Sequence, residues 1–434
     1  MSPRWQTRSG STVLVERSAV LPIVGVGVSV RTGALLDPPG KEGLARLTTR
    51  AMRMGTEELR SRALEERLDE LGAQLSISCS QSYLHFGGVV VAHNLEPFVE
   101  LIGALLARPA FRPADVRQVQ REMISELVAL CDDDRSLSSR HFRNFAYGGH
   151  PYARPRNGSR KSLARIEQRD VLACHAQHIR AKNLVIAVWG DYVPRALERL
   201  LERCLGGLPA GRPPAQPVPE PVLAPGRRIR VVDKPERTQT QIVIGTLGTS
   251  PHDRDHVPLI VANTAFGGLF TSRLTKEVRV KRGLSYGASS NFTLSRTRDL
   301  WAMHTFPAAR DARACIELQL KLYDRWVERG LSARELAATQ RYARKSHAFE
   351  IDTAAKRLDQ RLDIELFDWP RTLHTGFLER VARTSREDIE RALARRLSRE
   401  DQVFTLVATA ASILPELEQL AGDTPIEVVS FDEI

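Results

Sequence analysis

Two kinds of hydrophobic pattern alternate along the chain. Short apolar runs, such as residues 23–31 and 241–246, predict buried strands, whereas apolar spacings of three and four predict amphipathic helices. Leu64, Leu68 and Leu71, for example, fall on one face of a helix. The pattern therefore indicates an α+β protein in which groups of strands are covered by helices.

The first half of the chain contains four further elements by the same criteria. Two are strands and two are helices, at residues 74–80, 83–91, Leu95–Ala107 and Pro113–Leu130. The second half contains a helix predicted at 256–266, and each half ends with an apolar strand, at 184–189 and Val403–Ala408. The two halves thus share an order of elements, which predicts a duplicated domain.

A proline-rich segment separates the halves. Residues 208–228 read LPAGRPPAQPVPEPVLAPGRR, with seven prolines in 21 residues. Such a segment forms neither a helix nor a central strand and behaves as a stiff, extended spacer. The predicted division is an N-terminal domain at 1–207, a linker at 208–228 and a C-terminal domain at 229–434.

Composition narrows the class of protein. A chain of 434 residues is too long for one ordinary core. Its N-terminus has no apolar signal region and no apolar run reaches the roughly 18 residues of a membrane span, so a cytoplasmic protein without a membrane partner is expected. Five scattered cysteines without a C-x-x-C pair argue against a disulfide framework or a thiolate zinc site.

The net charge of +11 raises the question of a nucleic-acid partner. Only 9 of the 63 basic residues are lysine, and the densest arginine runs carry no interleaved aromatic residues. Solvated arginine-rich faces explain this charge better than a nucleic-acid site, so no nucleic-acid partner is expected.

The stretch GLARLTTRAMRMGT, at residues 43–56, predicts a helix with a buried stripe and an unusual polar side. The predicted stripe consists of Leu44, Leu47, Ala51 and Met54. Beside it, the polar side reads R-x-x-T-R. A second distinctive stretch, FGGLFTSRLTKEVRVKRGLSYGAS, contains R-x-x-R-G-L-x-Y at residues 279–286.

The organisation of the chain and these two stretches resemble the pitrilysin or insulinase-like zinc peptidases, most closely the half-length subunits related to mitochondrial processing peptidase. The resemblance covers nearly the whole chain. The resemblance implies two duplicated α/β-sandwich-like domains that form half of a clam shell. Active members carry H-x-x-E-H within a frame of which this chain keeps Gly43, Ala45, Gly55 and Thr56.

The zinc motif itself is lost. Arg46 and Arg50 occupy the two histidine positions and Thr49 occupies the position of the water-activating glutamate. A guanidinium is a permanent cation without a lone pair for zinc, and threonine cannot replace a carboxylate base. Glu126 follows Arg50 by 76 residues and matches the family's third ligand. It is expected to pair with Arg46 or Arg50, so no metal or other cofactor is expected in this chain.

Another group of candidate zinc donors lies in DVLACHAQHIR. Cys174, His175 and His178 are close in sequence, but no fourth donor is recognisable, so packing or surface roles are favoured. His150 lies in a turn-rich region, where the same interpretation applies.

The resemblance implies catalytic roles for Arg279 and Tyr286, which in the family bind the substrate carbonyl and help to stabilise the tetrahedral intermediate. A turn at Gly283, between a predicted helix and strand, can bring a cation and a phenol to one site, a suitable pair for a developing oxyanion.

Three functions follow as hypotheses. The chain is the zinc-free subunit of a heterodimeric metallopeptidase whose H-x-x-E-H partner holds zinc; or a catalytically silent peptide-binding or scaffold subunit; or, with net charge alone in support, a nucleic-acid binder.

Overall fold

The structure, a computed structural model, describes residues 3–212 and 217–433. Residues 213–216 of the proline-rich segment lie outside the described residues. The described strands are β1 (Arg4–Gln6), β2 (Thr12–Arg17), β3 (Ile23–Val30), β4 (Gln74–Cys79), β5 (Leu84–Val91), β6 (Leu184–Gly190), β7 (Arg228–Asp233), β8 (Gln241–Leu247), β9 (Ser285–Phe292), β10 (Leu300–Pro307), β11 (Val403–Ala408) and β12 (Ile426–Ser430).

Helices cover the strands in both halves of the chain. The described α-helices are α1 (Leu44–Met52), α2 (Ser61–Leu71), α3 (Leu95–Ala107), α4 (Pro113–Leu130), α5 (Asp134–Tyr147), α6 (Arg160–Ala164), α7 (Gln168–His178), α8 (Pro194–Leu205), α9 (His256–Asn263), α10 (Arg273–Thr275), α11 (Ala312–Arg329), α12 (Ala333–Ile351), α13 (Ala354–Phe367), α14 (Phe377–Arg383), α15 (Arg386–Arg396) and α16 (Ala410–Ala421).

The strands form two six-stranded mixed sheets with a shared plan. The first has the order β1-β2-β6-β3-β5-β4 and the second the order β12-β7-β11-β8-β10-β9. In both, the second and third strands are parallel and the following pairs are antiparallel. Five strands therefore correspond one to one, as expected of a duplication. The sixth differs, because β1 pairs antiparallel to β2 and β12 pairs parallel to β7.

The chain forms two compact units that are discontinuous in sequence. The first unit contains residues up to Leu127, Arg154–Pro217 and Phe349–Trp369. The second unit contains Val128–Ala153, Val218–Ala348 and the residues from Pro370 onward. The division predicted from the sequence, at residues 208–228, stays a prediction.

Each unit includes a helix from the other half of the chain. In the first unit, α13 packs Leu358, Leu362 and Leu366 against Leu14 of β2 and Val185 of β6. In the second unit, Leu137 of α5 packs against Val232 and Val407 of β7 and β11. These helices cover apolar strand residues that would otherwise meet water.

Most predicted elements are present. Helices α3 and α4 and strand β11 have the predicted bounds, and the other predicted strands differ by one residue at an end. Gly72 follows α2 in the left-handed conformation, with a φ of 57°, and its N–H bonds to the Asp69 carbonyl, as a helix-ending glycine does.

Two predicted helices are present but are not α-helical throughout. The helix predicted at 256–266 is α-helical only to Asn263 and continues as a π-helical turn at Thr264–Gly268. Likewise, α10 passes into a π-helical turn at Lys276–Lys281. The first π turn brings Gly267 against β9, where a Cβ on Gly267 would come within 2.1 Å of the Ser290 hydroxyl. The wider π turn thus serves a close contact between helix and strand.

A buried polar cluster fixes the same contact. The Asn263 Oδ1 accepts hydrogen bonds from the Ser290 hydroxyl, at 2.6 Å, and from the Trp301 indole, at 2.8 Å. Its Nδ2 donates to the Ser290 carbonyl at 3.1 Å. The end of α9 is therefore held against β9, the strand that also carries Tyr286.

No helix among residues 3–212 and 217–433 is both long and apolar enough to cross a membrane.

Candidate functional site

Helix α1 is held at its N-terminus by an acidic side chain from the preceding loop. The Asp37 carboxylate accepts hydrogen bonds from the backbone N–H groups of Gly43 and Ala45, both at 2.8 Å. Gly43 has a φ of 96°, which glycine adopts without strain. Burial raises the pKa of Asp37 to about 7, even though the two N–H donors and Arg154 lower it.

The buried face of α1 differs from the predicted stripe at one position. Leu44, Leu47, Ala51 and Met52 are buried, whereas Met54 lies beyond the end of the helix and is only half-buried. The stripe ends early because α1 ends at Met52, two residues before Met54. The opposite side of α1 presents the arginines.

A shared carboxylate pairs with both arginines of α1. The Glu126 side chain on α4 accepts from Arg46 at 2.8 Å and from Arg50 at 2.5 Å. Arg50 also donates to Glu122, one helical turn earlier on α4, at 2.9 Å. Burial lowers the pKa of Arg46, an effect that the neighbouring Glu126 opposes, and the guanidinium stays charged. The ion pair expected from the sequence is present, with a second glutamate that the sequence analysis missed.

The threonine at the remaining motif position is turned inward. Thr49 is 1% exposed, and its hydroxyl donates to the Ala45 carbonyl at 2.6 Å within the same helix. It carries no carboxylate to activate a water molecule. Within the described part of the chain, no group of three His, Cys, Asp or Glu side chains is placed to hold a metal ion.

The candidate zinc donors of α7 lie in packed positions. The His175 Nε2 lies 2.8 Å from the Leu106 carbonyl oxygen, and Cys174 and His178 are buried. Burial lowers the pKa of His178 to about 4. Outside that helix, the His150 ring bonds to the Pro219 carbonyl oxygen, at 2.9 Å, and to the Tyr152 N–H. These contacts fit the packing roles predicted from the sequence.

A cleft of about 560 Å³ opens beside the arginines of α1. The edge strand β4 contributes Ile77, Ser78 and Cys79 to its wall. The charged residues that line the cleft are Arg46, Arg50, Arg53, Arg156, Glu122 and Glu126.

A second candidate site lies in the second unit, where three side chains form a stack. The Arg279 guanidinium carbon lies 4.2 Å from the centre of the Tyr286 ring and 4.8 Å from the centre of the Phe270 ring. Both distances are within the range of cation–π attraction. Arg279 is half-buried, whereas Tyr286 and Phe270 are 76% and 64% exposed. Phe270 is a partner that the sequence analysis missed.

The turn between the π-helical segment and β9 creates this arrangement. Gly283 has a φ of 63°, and its N–H bonds to the Arg279 carbonyl at 3.1 Å. The Leu284 N–H bonds to the Val278 carbonyl at 3.0 Å. The chain therefore reverses between Arg279 and Tyr286 and places both side chains on one surface, as predicted. Strand β9 is also the outer strand of its sheet, with Tyr286 near its start.

Comparison with known proteins places both stretches in one family. A family model described as "Insulinase (Peptidase family M16)" matches residues 12–159, and one described as "Peptidase M16 inactive domain" matches residues 165–342. The chain belongs to peptidase family M16. Its fold is the two-domain α+β fold of M16 peptidase-like structures, and its sequence is that of a homologue of inactive and non-peptidase members.

Individual M16 relatives match over most of their length. The "Non-peptidase homolog YmxG" of Helicobacter pylori is 21% identical, covering 91% of this chain and 91% of the relative. The "Uncharacterized zinc protease YmxG" of Bacillus subtilis is 19% identical, covering 95% and 100%. The crystal structure of a peptidase M16 inactive domain from Pseudomonas fluorescens has a TM-score of 0.87 and 23% identity, covering 94% of this chain and 97% of that chain.

For an M16 chain, the two sites differ in what they can do. The guanidinium groups at the histidine positions supply hydrogen-bond donors to anions or carbonyl oxygens, whereas the Thr49 hydroxyl already donates within α1, and neither kind of group supplies a ligand to zinc. The Arg279–Tyr286 surface supplies a cation and a phenolic hydroxyl next to an open strand edge.

Proposed function

We propose that this chain is the non-zinc-binding subunit of a heterodimeric M16 metallopeptidase. In this proposal, Arg279 and Tyr286 bind substrate and stabilise the oxyanion in the site of a partner that carries H-x-x-E-H and zinc. The observation that carries the proposal is the exposed Arg279–Tyr286 stack beside an outer strand, in a chain whose own motif positions are occupied by ion-paired arginines.

The geometry of the stack suits this role. The Tyr286 ring is exposed while Arg279 is fixed from two sides, so the cation is oriented before any ligand arrives. Preoriented donors stabilise a developing negative charge without reorganisation during the reaction. A peptide added as a further strand on β9 would run past Tyr286, and recognition of this kind depends on the peptide backbone more than on its sequence.

The test is a reconstituted pair with conservative changes in this chain. An M16 protein with an intact H-x-x-E-H motif is co-expressed with this chain, and steady-state peptide cleavage by the complex is measured. Tyr286→Phe keeps the ring over Arg279 and removes the hydroxyl donor, so kcat is expected to fall about 10²–10³-fold. Arg279→Ala is expected to lower activity and also to raise KM, because the guanidinium holds the bound peptide as well.

Complex formation and zinc content of the partner serve as controls, and neither is expected to change. Full activity of the Tyr286→Phe complex would remove the catalytic role. That outcome would favour the alternative, a catalytically silent peptide-binding or scaffold subunit. The name of the Helicobacter pylori relative, a non-peptidase homologue, supports this alternative.

A further inference from the structure

The arginine-lined cleft of the first unit is not needed for the roles of Arg279 and Tyr286, so its chemistry requires a separate account. We propose that it binds a carboxylate side chain of a peptide that lies along the edge strand β4. The inference rests on the proposed function, in that the chain holds peptides, and it adds a preference for acidic ones.

The charges of the cleft do not cancel. Arg46 and Arg50 share Glu122 and Glu126, which gives two positive and two negative charges. Arg53 is neutralised from outside the cleft by Glu65, with one contact at 2.9 Å. These groups together leave the positive charge of the remaining lining arginine without a counter-ion.

That remaining residue is Arg156, which is exposed at the cleft. Within residues 3–212 and 217–433, its guanidinium makes no hydrogen bond or ion pair. It lies close enough to Arg46 to lower the pKa of that guanidinium by repulsion. An anion placed between Arg46 and Arg156 would relieve this repulsion and accept hydrogen bonds from both.

Because β4 forms part of the cleft wall, a peptide paired with this strand would bring its carboxylate side chains to the arginines. Ile77, Ser78 and Cys79 belong both to the cleft and to β4, which pairs with β5 along one edge. Among the described strands, none pairs with its other edge. A peptide bound to that edge would point alternate side chains toward the arginines. Charge complementarity then favours aspartate or glutamate at those positions.

Glu126 allows a test that separates carboxylate binding in the cleft from a purely structural role of its ion pairs. It competes with an incoming carboxylate for the same guanidinium groups, since it accepts from both Arg46 and Arg50. Removing its charge should therefore strengthen the binding of an acidic peptide. An ion-pair network with a purely structural role would give no such gain.

The experiment measures binding to the full isolated chain by fluorescence anisotropy. Two labelled peptides of equal length are compared, one containing glutamates and the other glutamines at the same positions. The glutamate peptide is expected to bind about tenfold more tightly, the effect of one charge-assisted hydrogen bond, and to weaken with added salt.

Three variants locate the effect. Arg156→Ala should weaken the glutamate peptide about tenfold and leave the glutamine peptide unchanged. Glu126→Gln should strengthen the glutamate peptide. Arg62→Ala is the matched control, because Arg62 is an exposed arginine of the same unit that pairs with Glu66 on α2, and it should change neither affinity.

Each contrary outcome overturns the inference. Equal affinities for the two peptides, equal effects of Arg156→Ala and Arg62→Ala, or no binding of either peptide would each do so. The measurement involves no cleavage and no partner. Loss of the cleft proposal is therefore distinguishable from loss of the proposed catalytic role, which is read from the reconstituted pair.

Discussion

At the scale of single residues, two arginines set the charge that α1 presents to a ligand. A guanidinium is a permanent cation, so Arg46 and Arg50 each need a counter-ion in this partly buried position. Glu126 supplies it. The residue that matches a metal ligand in sequence therefore acts as an anion that neutralises side chains, and Thr49 is satisfied within its own helix.

Restoring the motif residues should restore a zinc site. The variant Arg46→His, Thr49→Glu, Arg50→His supplies two imidazoles, and it frees the Glu126 carboxylate to act as the third ligand. We expect it to bind about one zinc ion per chain, measured by elemental analysis after dialysis, while the unaltered chain binds none.

The control adds Glu126→Gln to that triple variant, which should lower zinc affinity by removing the third ligand. Stoichiometric zinc in the unaltered chain would contradict the prediction, and so would equal zinc binding with and without Glu126.

The sequence predicted part of both sites at this scale. The resemblance to the zinc peptidases, in which the third ligand lies at a similar distance along the chain, linked Glu126 to Arg50. Glu122 could have been added, because residues four apart on a helix share a face. Phe270 could not, since α10 and the start of the π-helical turn separate it from Arg279, and only the folded chain brings its ring to the guanidinium.

At the scale of elements, the bounds of long periodic segments were predictable and their irregularities were not. α3 and α4 have continuous apolar periodicity, and their ends agree with the prediction. The π turns at Thr264–Gly268 and Lys276–Lys281 lie in segments whose apolar spacing in the sequence is that of an ordinary helix. They arise where helices must fit against β9, a tertiary contact that no local pattern contains.

The start of α1 should make stability depend on pH. The pKa of Asp37 is about 7 in the folded chain against an ordinary value of 3.8, so between these values the folded state binds a proton that the unfolded state releases. The stabilisation that comes from this pKa difference is complete below pH 3.8 and is lost as pH rises toward 7. The free energy of unfolding therefore falls by at most about 1.4 kcal/mol per pH unit over this range. Asp37→Asn should remove this slope from the free energy of unfolding, measured by denaturant titration across that range.

Asp133→Ala is the comparison for that measurement. Asp133 caps α5, and hydrogen bonds from Ser136 and backbone N–H groups lower its pKa. The stabilisation that this cap gives is therefore complete at every pH above 3.8, the ordinary pKa of the carboxyl group. Its loss should cost about 1 kcal/mol at every pH between 4 and 7 without changing the slope. A similar slope in the Asp37→Asn variant and the unaltered chain would contradict the assignment.

At the scale of the whole molecule, the duplication was visible in the sequence and the exchange of helices was not. The order of strands, glycines and turn-rich loops repeats locally, so it predicted two similar sheets. The placement of α5 and α13 depends on contacts between segments far apart in the chain, such as Leu14 with Leu358. An amphipathic helix shows that it has a buried face without showing which sheet covers it.

The exchanged helices predict that the chain survives a cut in its proline-rich segment. With a protease site inserted next to Val222, which is 84% exposed, the cleaved protein should elute from a sizing column as one species at its original position. Each fragment supplies strands to one sheet and a covering helix to the other, so separation would expose the apolar contacts of both.

Leu358→Asp should release the fragments after cleavage, because it places an unpaired carboxylate at a buried position. Lys356→Ala, an exposed change on the same helix, should leave them together. Fragments that separate without any mutation would contradict the prediction.

The exchanged helices α5 and α13 also change how much the assembly of the two halves depends on the covalent link between them. The path of the backbone passes from one unit to the other five times, at Leu127, Ala153, Pro217, Ala348 and Trp369. The spacer accounts for one of these passages. A gene split within the spacer would therefore encode two polypeptides that are each incomplete alone and that assemble into the same molecule. The length and composition of the spacer can then change without loss of assembly, whereas the buried faces of α5 and α13 cannot.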